Sequence, residues 1–109
     1  MNVLALCNDM IFRTKIESTA KSLGCTVVRG VDALGDEPAI VLIDLDSVWP
    51  AAREIVSMLS RERRVRIVAF GSHVRADLFA EARAAGIEEV MARSAFVNKL
   101  PTILGAPLD

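Results

Sequence analysis

The sequence predicts an α/β fold, a parallel sheet with helices on both faces, and three observations carry that prediction. Five short aliphatic runs alternate with segments of helical period along the 109 residues, the pattern of strand–helix–strand crossovers, which are right-handed in a parallel sheet. The middle run, Ala39-Ile40-Val41-Leu42-Ile43-Asp44, has no polar alternation and so reads as a strand buried on both faces. It stops on a carboxylate. Ligands of open parallel sheets sit outside the carboxyl ends of the strands, so Asp44 stands where a functional acid would be placed.

In chain order, Val3 to Cys7 reads as the first strand, and Asn8 or Asp9 can cap the helix that follows. That helix carries Ile11, Phe12, Ile16, Ala20 and Leu23 at near-helical spacing and stops at Gly24, a residue suited to a left-handed helix end. Cys25 to Arg29 is the second strand. Between Gly30 and Pro38 there is room for little more than one turn, around Val31-Asp32-Ala33-Leu34, before the Ala39–Asp44 strand.

Beyond Asp44, Ser47 and Pro50 mark a helix start, with Ala52, Ile55, Val56 and Leu59 as its buried stripe. Arg66 to Phe70 is the fourth strand and Gly71-Ser72-His73 its polar exit. Asp77 to Ala85 is a helix closed by Gly86, with Leu78, Ala82 and Ala85 inward, and Glu89 to Ala92 is a short fifth strand. Pro101 clashes with a helical residue four positions earlier and lacks an amide donor, so the last helix is expected to start near Asn98 and run to about Leu104. Met58 and Met91 sit where core filling is expected, His73 on a surface loop, and Trp49 just past Asp44, where it could cover the site.

Residues 1–109 read as one domain, long enough to bury a core without staples. A formal charge of −1, with 52% hydrophobic and 25% charged residues, gives no electrostatic reason to expect nucleic acid or an anionic membrane as partner. Arg61 to Arg66 is locally basic, and reads as a solvated helix end or a phosphate-binding patch. The apolar run at the start lacks a positive leader and is too short for a signal peptide or a span, so a cytoplasmic location is expected. Cys7 and Cys25 fall at opposite ends of neighbouring strands, too far apart for a disulfide.

Ile40-Val41-Leu42-Ile43-Asp44-Leu45-Asp46, Gly30-Val31-Asp32-Ala33-Leu34 and Ala84-Ala85-Gly86-Ile87-Glu88-Glu89-Val90, in this order and spacing, resemble the receiver domain of two-component response regulators over nearly the whole chain. The resemblance implies a three-layer α/β/α sandwich of flavodoxin-like topology, strand order 2-1-3-4-5, here with a shortened second helix. Asp44 matches the phosphoacceptor, and Asp46 the residue whose carbonyl faces Mg²⁺. Receivers also use an acidic pair after strand one, a hydroxyl residue after strand four and a lysine after strand five. Here the acidic pair falls on Cys7 and Asn8 with Asp9 one place late, the hydroxyl position on Gly71 with Ser72 beside it, and the lysine position on Arg93, followed by Ser94 in place of proline. Val90 matches the aromatic switch residue.

Arginine keeps the lysine's charge in a different shape, and Arg93 is expected to pair with Asp44 in place of metal and phosphate. Mg²⁺ would fall to Asp9, Asp44 and Asp46, but a lone carboxylate beside Asp44 would hold it poorly; no cofactor is expected. Asp44 could equally be a strand-end carboxylate capping the next loop, and Asp9 a helix cap. Cys7-Asn8-Asp9-Met10-Ile11-Phe12-Arg13-Thr14 matches the Cys-x5-Arg-Ser/Thr signature of tyrosine phosphatases, in which a thiolate attacks phosphorus within a loop of amides. No glycine stands between Cys7 and Arg13 to let that loop curl.

The expectation is therefore a stand-alone pseudo-receiver, not an enzyme, of bacterial two-component signalling. It would act by contact with a protein partner, a histidine kinase or downstream effector. The alternatives are a working single-domain response regulator phosphorylated on Asp44 and a low-molecular-weight-type Cys7 phosphatase. The partner surface would be the side formed by the Asp77–Ala85 helix, the fifth strand and the last helix, or the flank that the short second helix leaves thinly covered, which a partner or a second copy would close.

Overall fold

Five strands, β1 (Asn2–Leu6), β2 (Thr26–Val28), β3 (Ala39–Asp44), β4 (Val65–Gly71) and β5 (Glu89–Ala92), form one parallel sheet in the order β2-β1-β3-β4-β5. The structure is a computed structural model and describes residues 1–62 and 64–105. All six residues of β3 are buried. Its side chains alternate between two cores: Val41 and Ile43 join Val56, Leu59, Leu78 and Ala82 on one face, while Ile40 and Leu42 join Ile16, Ala20, Phe96 and Leu100 on the other. This two-sided burial is why the strand carries no polar alternation.

Helix α1 (Met10–Ser22) starts where Asp9 accepts a hydrogen bond from the Phe12 amide at 3.1 Å, an N-cap of ~1 kcal/mol. Gly24, at φ +83°, turns the chain out of it. Ile11 is not inward but 87% exposed: five residues before buried Ile16, it lies about 140° around the helix. A single 3-10 turn, Val31–Leu34, joins β2 to β3.

The helix expected from Ser47 is two pieces, α2 (Leu45–Val48) and α3 (Arg53–Leu59). Pro50 separates them, since the residue before a proline is pushed to extended backbone, and Trp49 adopts φ −84°, ψ 137°. Met58 is 62% exposed rather than core, because Ala52, Val56 and Leu59 define the buried face and Met58 lies about 200° from Val56. Helix α4 (Ala76–Ala84) is closed by Gly86 at φ +106°.

The last helix departs most from expectation: α5 runs Arg93–Gly105 with Pro101 inside it. Phe96, Leu100, Ile103 and Leu104 are buried on one face. At ~1.5–3 kcal/mol each, these side chains outweigh the ~3 kcal/mol of an interior proline. The longer helix carries Arg93 at its first position, directly after β5.

Both cysteines are free and buried. Of the basic stretch, Arg64 pairs with Glu62 at 2.9 Å and Arg66 grips Glu89 through two bonds of 2.7 and 2.6 Å; Arg63 lies outside the described residues. Among the described residues no helix is long and apolar enough to cross a membrane.

Candidate functional site

At the carboxyl end of the sheet the exits of β1, β3, β4 and β5 converge on Asp44, the buried charged residue of the core, 1% exposed. A carboxylate so placed must be neutralised or hydrogen-bonded at every oxygen. Its Oδ1 accepts from the Asp46 amide at 3.2 Å and from Arg93 Nη2 at 2.9 Å, and its Oδ2 accepts from the Cys7 thiol at 3.4 Å. The first of these bonds also makes Asp44 the N-cap of α2.

Arg93 Nη2 also reaches Asp46 Oδ2 at 3.3 Å, and that oxygen accepts from the Ser72 amide at 2.8 Å. One guanidinium thus joins the ends of β3 and β5, and Asp46 ties in the end of β4. Beneath it lie aromatic rings: the Arg93 guanidinium carbon is 4.6 Å from the Phe12 centroid and 5.4 Å from that of Phe70. Phe70 stacks on Phe96 at 4.0 Å. A cation on ring faces is held electrostatically as well as sterically.

Burial alone would lower the Arg93 pKa, but the neighbouring Asp44 charge and hydrogen bond outweigh it and the net shift is upward, so the guanidinium stays charged. Cys7 is pushed up to about 11, first by burial and further by the Asp44 carboxylate, with the backbone hydrogen bond at Asp9 opposing them in part. It is therefore a neutral thiol and a donor to Asp44 at ordinary pH.

Asp9 is not drawn into this cluster; its carboxylate is taken by the Phe12 amide of its own helix. Asn8 turns to the next loop, where its Nδ2 donates to the Ser47 carbonyl at 3.0 Å and its amide to Ser47 Oγ at 3.1 Å. Gly71 fits tightly: a Cβ there would stand 3.3 Å from Asp46 Oδ1 and 3.4 Å from Phe79 Cε1. Ser72 contributes its backbone amide. Trp49 does not cover the site. It is buried on the opposite face of the sheet, where its Nε1 donates to Glu81 Oε1 at 3.4 Å.

These residues do not fit Mg²⁺, which demands a near-octahedral shell of oxygens. Arg93 lies between the two carboxylates that would supply them, a thiol and an amide hold the acidic-pair positions, and Asp9 is engaged elsewhere. Among the described residues no three His, Cys, Asp or Glu side chains converge on a metal-sized gap. Nor does Cys7 to Arg13 form an anion loop. The segment is already helical from Met10, with the Arg13 amide bonded to the Asp9 carbonyl at 2.8 Å, and the raised thiol is the reverse of an activated nucleophile.

Phe12 and Phe70 are the parts that sequence reasoning missed. Phe70 is the register partner of Asp44, so both side chains leave the same face of the sheet; aligning the ends of the third and fourth strands could have paired them. Phe12 is reached only through the packing of α1.

No protein-family model matches the sequence, and no curated protein matches it. Solved structures do. A response regulator receiver protein from Burkholderia phymatum superimposes with a TM-score of 0.69 at 18% identity, over 97% of this chain and 96% of that one. The receiver domain of the Francisella response regulator 1452 gives 0.69 at 10% identity, over 94% and 92%. The phosphorylated cyanobacterial phytochrome response regulator RcpA gives 0.66 at 15% identity, over 95% and 88%. The fold of the chain is that of response-regulator receiver domains.

Proposed function

We propose that this receiver-fold chain is a pseudo-receiver: a signalling module of two-component type that works by protein–protein contact, with Asp44 closed by Arg93 instead of carrying a phosphoryl group. The observation that supports this reading is the saturation of Asp44. Its two oxygens are taken by Arg93, the Asp46 amide and the Cys7 thiol, in place of the metal and catalytic groups that phosphoryl transfer to a carboxylate requires. The module is read as non-enzymatic, cytoplasmic and bacterial, with a histidine kinase or downstream effector as its protein partner. The near-neutral net charge speaks against nucleic acid or membrane as partner.

The test is a titration with Mg²⁺ and then beryllofluoride, a phosphoryl mimic, followed by amide chemical shifts with Asp44→Asn as control. The expected result is no saturable movement at Cys7, Asp44, Ser72 or Arg93. Saturable shifts at those amides that vanish in Asp44→Asn would overturn the reading in favour of a response regulator phosphorylated on Asp44.

A further inference from the structure

Parallel crossovers normally take a dozen or more residues and carry an α-helix, yet between β2 and β3 the chain lays down only the Val31–Leu34 turn. The sheet between that turn and α3 is left to half-buried side chains: Leu6, Val28, Val31, Val48 and Ile55. Met58 continues the stripe down α3 at 62% exposure. A groove of about 350 Å³ opens between Leu6, Val48 and Ile55, and through Leu6 and Val48 it meets a second of about 160 Å³ beside Val28.

The two ends of this flank carry opposite charge. At the carboxyl end of the strands Arg13 and Arg29 line the smaller groove against one carboxylate, Glu17; Arg29 pairs with Glu17 at 2.6 Å and its side chain is still 69% exposed, so this end keeps a net positive charge. At the other end the turn is pinned to the start of β1 by the Asn2 Nδ2 bond to the Leu34 carbonyl at 3.1 Å. There Asp32, Asp36 and Glu37 are exposed, while the nearby Arg64 is engaged by Glu62. Five residues of β1 separate the ends, about 15 Å.

An apolar strip that is basic at one end and acidic at the other is complementary to itself after a two-fold rotation, which sets each basic end against the partner's acidic end. We propose that this flank binds a second copy of the chain in a two-fold dimer, with the second copy closing the surface that the missing helix leaves open.

Sedimentation velocity of the full chain over a range of concentrations tests this, with circular dichroism confirming that each variant is folded. The wild type is expected to dimerise reversibly, and Met58→Glu to be monomeric. Arg29→Glu and Asp36→Lys each place like charges together at both ends and should weaken association about tenfold or more. An equimolar mixture of these two variants restores opposite charges at both ends of the heterodimer, so it should associate more tightly than either alone. A wild type that stays monomeric, a dimer indifferent to all three substitutions, or a mixture no tighter than its components would each overturn the proposal. Because the substituted positions are exposed and lie away from Asp44, a failure here leaves the pseudo-receiver reading untouched.

Discussion

Arg93 Nη2 lies 2.9 Å from Oδ1 of Asp44, so a cation from the first turn of α5 neutralises a carboxylate at the end of β3 that is 1% exposed. The partners are unequal in burial: the Arg93 side chain is 32% exposed. Removing the arginine strands a charge that water cannot reach, whereas removing the carboxylate leaves a cation that still has Asp46 and solvent.

Arg93→Ala should therefore cost stability at the low end of the ~3–5 kcal/mol seen for a broken buried pair, and Asp44→Asn should cost less. In a double-mutant cycle by urea unfolding the two should couple by about 2 kcal/mol. Additive losses would show that the contact carries no coupling energy.

Cys7 makes stability depend on alkaline pH. Its thiol titrates near 9.0 when unfolded and is pushed up to about 11 in the fold by burial. Between those values the unfolded chain releases a proton that the folded one keeps. Its contribution is thus fully present below pH 9 and is lost as pH rises toward 11, by about 2 kcal/mol. Cys7→Ser keeps a donor to Asp44 and does not titrate in this range, so its stability should fall less over the same interval. Parallel curves for the two proteins would refute the assignment.

Gly71→Ser restores a hydroxyl at the position where receivers use one, yet here it should weaken the fold. The new Cβ would meet Asp46 Oδ1 at 3.3 Å and ring and aliphatic carbons at 3.4 Å, an overpacking of ~1–2 kcal/mol. Asp46 is the group able to yield, so the Ser72 amide should lose its acceptor and exchange its hydrogen faster. Unchanged exchange at Ser72 would mean that the carboxylate stays in place.

Trp49 reports on α4, not on Asp44. Glu81→Ala removes the acceptor of its indole N–H and should change Trp49 fluorescence, while Asp44→Asn should leave it nearly unchanged. The stability cost should stay below ~1 kcal/mol, because the Arg53–Glu81 pair that also disappears is exposed on both sides. Fluorescence that follows Asp44→Asn instead would place the indole beside the site.

The central strand and the position of Asp44 were legible because burial on both faces writes itself into a continuous aliphatic run, as in the six buried residues of β3; the strand order was expected from the resemblance to receivers. The chain breaks that went unread arise where two local signals compete. Ser47 and Pro50 both mark helix starts, and the backbone ahead of Pro50 splits the segment into α2 and α3. The partnership of Arg93 with Asp44 was expected from a resemblance between positions. The aromatic bed of Phe12 and Phe70 beneath it depends on how α1 and α5 pack, which spacing along the chain does not encode.

Pro101 gives the sharpest test of packing against propensity. A helix beginning at Asn98 would place it in the first turn at no cost, but α5 begins at Arg93 and leaves the carbonyl of residue 97 without its usual donor. Pro101→Ala restores that donor and removes the ring clash, worth up to ~3 kcal/mol. It also frees the unfolded chain, which costs about 0.4–1 kcal/mol. A net stabilisation of about 2 kcal/mol is therefore expected in thermal or urea unfolding. Since the variant tightens the first half of α5, hydrogen exchange at Phe96 and Val97 should slow in parallel. A destabilised Pro101→Ala would instead mean that the helix is built around the proline, and that the burial of Phe96 and Leu100 depends on the shape the ring imposes.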